Sequence, residues 1–112
     1  MKASRLIFTL LLASSVAVVQ LAAQQTKADQ KPIEEVKAKA EAGDAESEVE
    51  LGLRYTNGEG VAKDYVEAYE WLLLAARQGD EDAKKNMTGL ESKLTPEQIA
   101  EGKKRAREFK PR

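Results

Sequence analysis

Residues 52–64 read GLRYTNGEGVAKD, which is either a glycine-rich ligand loop or a hinge between two helices. Three of the chain's seven glycines, Gly52, Gly58 and Gly60, fall inside it, with Tyr55 between them. A phosphate loop would need Gly-x-x-x-x-Gly-Lys-Ser/Thr, or Gly-x-Gly-x-x-Gly after a strand, and neither pattern is here. Asn57, Glu59 and Asp64 do not follow the alternating acidic spacing of a calcium loop. The hinge reading fits better. Ser47, Leu51 and Tyr55 recur at i, i+4, i+8 on one helical face, with Gly52 beside them. A glycine inside a helix costs about 0.8–1 kcal/mol against alanine, and close approach of a second helix offsets that cost. Asn57-Gly58 stops the helix.

The segments on either side repeat the pattern. Asp64 with Glu67 resembles a capping box that starts a helix. Tyr65, Ala68, Tyr69, Leu72, Ala75, Ala76 and Gly79 then share one face, while Trp71, Leu73 and Leu74 widen the apolar surface, as in a helix packed on two sides. Upstream, Pro32 opens a helix with Ile33, Val36 and Ala40 inward, and Gly43 ends it. Downstream, Asp80 is an N-cap like Asp44, and Ala83, Met87, Leu90 and Leu94 face inward. Thr95-Pro96-Glu97-Gln98 is a further start signal, followed by Ile99, Gly102, Ala106 and Phe109, with Pro111 as the stop. No stretch alternates as a strand does, so the fold class is all-α.

Ala40-x-x-Gly43-Asp44 aligns with Ala76-x-x-Gly79-Asp80, a period of about 36 residues, which is that of a helix–turn–helix solenoid unit. Ile33 then falls on Tyr69, Val36 on Leu72, Ser47 on Ala83 and Leu51 on Met87. The motif residues are Ser47, Leu51, Gly52, Tyr55, Gly58, Gly60, Val61, Asp64, Glu67, Ala68, Trp71, Ala75, Ala76, Gly79 and Ala83. Together they resemble the Sel1-like repeat, a relative of the tetratricopeptide repeat; Ser47 stands where alanine is usual. The resemblance covers one full unit, 44–79. Residues 32–43 are similar to the second helix of a preceding unit, and 80–94 to the first helix of a following one, although Thr88 and Gly89 break its pattern. Residues 96–109 read as a C-terminal capping helix. The resemblance implies a short right-handed α-solenoid of about five helices that acts as a protein-interaction scaffold, with no catalytic residues to carry over.

The N-terminus has the order of a secretory signal peptide: Lys2 and Arg5, an apolar run from Leu6 to Ala13, then small residues. Cleavage follows Ala17 or Ala23, and Ala23 leaves no apolar stub. Residues 1–23 are thus read as a signal peptide and 24–31 as a disordered linker. The periplasm or the exterior is the expected location. The alternative is an uncleaved anchor over Leu6–Ala23, which is at the short end of what spans a bilayer and carries Thr9, Ser14, Ser15 and Gln20.

Composition narrows the chemistry. The chain has no histidine and no cysteine, so the commonest general base, a thiolate nucleophile and the best transition-metal ligands are all missing. A non-enzymatic role is expected, without cofactor, metal or small-molecule substrate; a cell-wall-active hydrolase is the weak alternative. Glu48 with Glu50, and Glu81 with Asp82, read as solvated faces rather than catalytic pairs. Eighteen basic against 19 acidic residues give a formal net charge of −1, and a nucleic-acid partner would call for a basic face. The basic run at 103–108 reads as a solvated helix face.

What remains is a protein partner, or self-association. Tyr55 and Trp71 are expected between helices. Leu73 and Leu74 leave the inner stripe, so they either meet a neighbouring helix or form an exposed partner-binding patch. A chain with one full unit and partial neighbours either folds as a compact capped bundle or completes its core against a partner or a second copy.

Overall fold

The computed structural model describes residues 30–112. The signal peptide and most of the linker read from the sequence lie outside the described residues. Five helices follow one another: α1 (Ile33–Glu41), α2 (Ala45–Asn57), α3 (Tyr65–Arg77), α4 (Glu81–Glu91) and α5 (Pro96–Glu108). No strand occurs among the described residues. The all-α expectation holds, as a short helical-repeat solenoid.

Four of the five helices, α2 to α5, start where a side chain satisfies free backbone N–H groups. Asp44 accepts from the Ser47 N–H at 3.0 Å. Asp64 accepts from Val66 and Glu67 at 3.0 and 3.1 Å. Asp80 accepts from Ala83 at 2.9 Å. Thr95 and Gln98 form a complete capping box with Pro96 in the first turn. The box expected at Asp64 is only half formed. The Asp64 N–H instead donates to the Tyr55 carbonyl at 2.9 Å, and the Glu67 carboxylate turns away toward Trp71 and Arg105. At the start of α1, Pro32 occupies the cap position itself, with no side-chain cap bond.

The two Gly-Asp turns are built alike. Gly43 has φ 95° and Gly79 φ 97°, a left-handed conformation that side chains with a Cβ resist. In each turn the following aspartate N–H reaches five residues back, Asp44 to the Lys39 carbonyl and Asp80 to that of Ala75. The aligned sequence repeat is therefore a repeat of geometry.

The helix α3 is central: it packs against α2, α4 and α5, while α1 packs on α2. One core cluster joins Ala68, Tyr69, Leu72, Ala75 and Ala76 of α3 to Ala83, Leu90 and Leu94. The other joins Trp71 and Leu74 of α3 to Val36, Ala40, Leu51 and Ala106. The helix thus buries two sides, as its broad apolar surface requires. Two glycines allow the closest approaches. A Cβ on Gly52 would lie 2.7 Å from Leu72 Cγ, and one on Gly102 would lie 2.7 Å from Tyr69 Cδ1. The expected close-packing role of Gly52 is what the structure shows. At Gly102 the same device seats α5 on α3.

Candidate functional site

The motif residues distribute between core and turns. Leu51, Ala68, Ala75 and Ala83 are fully enclosed, and Trp71 and Ala76 nearly so. Tyr55 is half-buried against both clusters. Gly58 closes α2 at φ 70°, and Gly60 follows at φ 74°, so GLRYTNGEGVAKD is a helix end and turn. Among the described residues no group of carboxylates, histidines or cysteines is placed to hold a metal.

The surface patch offered by Leu73 and Leu74 is not there. Leu74 is buried among Val36, Ala40, Leu51, Trp71 and Ala106, and Leu73 is half-buried against both clusters. Of the two alternatives, these leucines meet neighbouring helices. The reason is that α3 has partners on two sides, so its second apolar stripe is core.

A second correction concerns Glu48. Rather than lying on a solvated face, it is 1% exposed. It shares the inner stripe with Leu51, Gly52 and Tyr55, a spacing that could have flagged it. The Gln78 side-chain amide donates to Glu48 Oε1 at 2.6 Å and to the Gly43 carbonyl at 3.0 Å, tying the end of α3 to the preceding Gly-Asp turn. Burial pushes the Glu48 carboxyl up to about 7, against the lowering effect of the Gln78 bond. Arg54 is likewise buried, paired with Glu50 at 2.7 Å while its Nε has no partner. Nothing in the composition distinguishes it from an exposed helical arginine.

The open concave surface lies elsewhere, beside Trp71. A cleft of about 520 Å³ is lined by Glu41, Glu70, Trp71, Arg105, Glu108 and residues 109–112. A smaller one of about 370 Å³ borders Ala42, Gly43, Glu48, Leu74, Arg77, Gln78, Phe109 and Pro111. Phe109 and Pro111 border both, so residues 109–112 run between the two clefts.

The floor is held in place by polar contacts. Glu67 accepts the Trp71 indole N–H at 3.3 Å and an Arg105 N–H at 3.2 Å, and Arg105 also reaches Glu101 at 3.0 Å. The basic run at 103–108 is exposed apart from Arg105, which is half-buried, and Ala106, which is buried. Glu70 is half-buried on the cleft wall. Burial, reinforced by the Glu67 charge and opposed by Arg105, pushes it up to about 7. The site combines an aromatic floor with walls that carry both carboxylates and cations.

Against known families, residues 45–80 match the model of the Sel1 repeat. That span begins with α2, includes α3 and ends in the second Gly-Asp turn. No curated protein matches the chain. Sel1 repeats generally serve as protein–protein interaction modules and are typically non-catalytic.

Proposed function

We propose that this chain, whose residues 45–80 match the Sel1 repeat, is a non-enzymatic interaction module of the bacterial cell envelope that engages its partner at the Trp71 cleft. The observation that carries the reading is the cleft itself. It is concave, it has an aromatic floor and charged walls, and it is supported by the packing of α3 and α5. These are the features by which proteins hold segments of other proteins.

A photo-crosslinking residue in place of Glu70, compared with one in place of exposed Lys85 on α4, tests the surface in cells. A discrete adduct from position 70 alone is the expected result. Equal labelling from both positions, or none, overturns it.

The envelope part rests on residues 1–23, with their charged start, apolar run and small residues. N-terminal sequencing of the protein recovered from cells should give a start at Gln24. A chain recovered from the membrane fraction with residues 6–23 intact would instead establish the tethered form.

A further inference from the structure

The segment that leaves α5 is not idle. At Phe109 the backbone turns extended, with φ −64° and ψ 132°. The Phe109 ring then meets the Trp71 ring edge-on, with centroids 5.5 Å apart at 76°. Pro111 lies 3.7 Å from where a Cβ on Gly43 would be. The Arg112 N–H donates to the Glu41 carbonyl, a free acceptor at the end of α1, at 2.8 Å. An extended stretch with an aromatic anchor and a main-chain bond to a helix end is how a protein holds a foreign peptide.

The chemistry of the stretch matches the wall it follows. Phe109-Lys110-Pro111-Arg112 brings one aromatic ring and two cations. Glu41 and Glu70 line the same cleft, so the two cations of the stretch run along a wall that carries carboxylates. The hold is also shallow. Phe109 is half-buried, and Lys110, Pro111 and Arg112 are exposed. Departure of the stretch gives up the packing of Phe109 on the second core cluster with its Trp71 ring contact, the Pro111 contact and one hydrogen bond, while Gly102 and Ala106 still seat α5 on α3.

We propose that Phe109–Arg112 is a resident occupant of a peptide site formed by Trp71, Glu70, Glu41 and Gly43, and that the partner enters as an extended segment of the same chemistry, aromatic then basic and proline-containing, which replaces it. This deepens the interaction-module reading and rests on it. The occupant sets the affinity, because a ligand binds only the fraction of molecules whose site is vacated.

The test uses the full chain and a blocked synthetic peptide with the sequence of residues 105–112, RAREFKPR, alongside a scrambled control. Trp71, the single tryptophan, reports occupancy by fluorescence. Two variants loosen the occupant: Phe109→Ala removes the ring contact, and Arg112→Pro removes the N–H donor together with one of the two cations. With native far-UV dichroism confirmed, each should bind the peptide about tenfold more tightly than the parent chain. Adding Glu70→Lys should abolish the gain, and the scrambled peptide should not bind.

Equal affinity of parent and Arg112→Pro chains, or no saturable binding by the Arg112→Pro chain, overturns the proposal. The second variant keeps the question open to refutation should Phe109→Ala unfold. The outcomes also separate from those of the broader reading: a cellular adduct at position 70 with no peptide binding leaves the interaction module standing and removes the resident-occupant model.

Discussion

Gly52 and Gly89 both sit inside helices, yet a methyl group at each meets opposite surroundings. At Gly52 it would press on Leu72 Cγ at 2.7 Å and on the Ala68 carbonyl oxygen at 3.2 Å, and the carbonyl cannot swing aside. The steric cost exceeds the gain in helix propensity, so Gly52→Ala should destabilise the protein by about 1–2 kcal/mol. At Gly89 nothing lies within 4 Å, so Gly89→Ala should stabilise by about 0.5–1 kcal/mol. Urea denaturation of the two variants should move the midpoint in opposite directions at unchanged slope. Glu48 offers a test of another kind. Its carboxyl is pushed from the ordinary 4.5 to about 7, so the folded protein keeps a proton that the unfolded chain has released. The stabilisation is complete below about 4.5 and is lost as the pH rises through 7. Glu48→Gln retains the shape and an acceptor for Gln78, so it should flatten that decline and be the more stable chain at pH 8 by about 1–3 kcal/mol. Thermal melts at pH 5 and pH 8 measure it. At this scale the sequence is readable wherever a residue acts through backbone geometry, as Gly52, Gly43 and Asp44 do. It is opaque where the outcome depends on which distant group arrives, as with Gln78 on Glu48.

The helices announce themselves by their ends. Thr95-Pro96-Glu97-Gln98 forms the reciprocal pair of bonds that its composition implies, at 3.1 Å from the Gln98 N–H to Thr95 Oγ1 and 2.9 Å from the Thr95 N–H to Gln98 Oε1. Thr95→Ala should cost about 1 kcal/mol and speed amide exchange in the first turn of α5 while leaving α2 protected. Hydrogen exchange followed by mass spectrometry resolves the two. The same local logic overreached at Asp64, because Glu67 has better partners in Trp71 and Arg105 than the backbone behind it. A capping pattern is local, and the carboxylate's choice is tertiary. Leu73 and Leu74 show the same boundary between levels. Periodicity reveals that α3 has more than one apolar side, but only the arrival of α5 and α1 decides that the second side is core. Neither the return of residues 109–112 to α1 nor the cleft beside them has a periodic signature.

Across the molecule, α3 belongs to both core clusters, and Tyr55 and Leu73 touch both. Neither cluster can come apart without exposing a face of that one helix. Unfolding should therefore be a single transition: Trp71 fluorescence and far-UV dichroism should give coincident curves, and two separated midpoints would contradict the shared helix. The match between the Gly43-Asp44 and Gly79-Asp80 joints has a consequence of a different sort. An in-frame duplication of the DNA for residues 44–79 would insert a unit whose two seams are already compatible, since φ differs by little between 95° and 97° and both aspartates reach back in the same way. The incoming glutamine equivalent to Gln78 would find a Gly carbonyl to its front, as the present one does at 3.0 Å. A gene of this kind can lengthen by copying before selection has adjusted a single side chain.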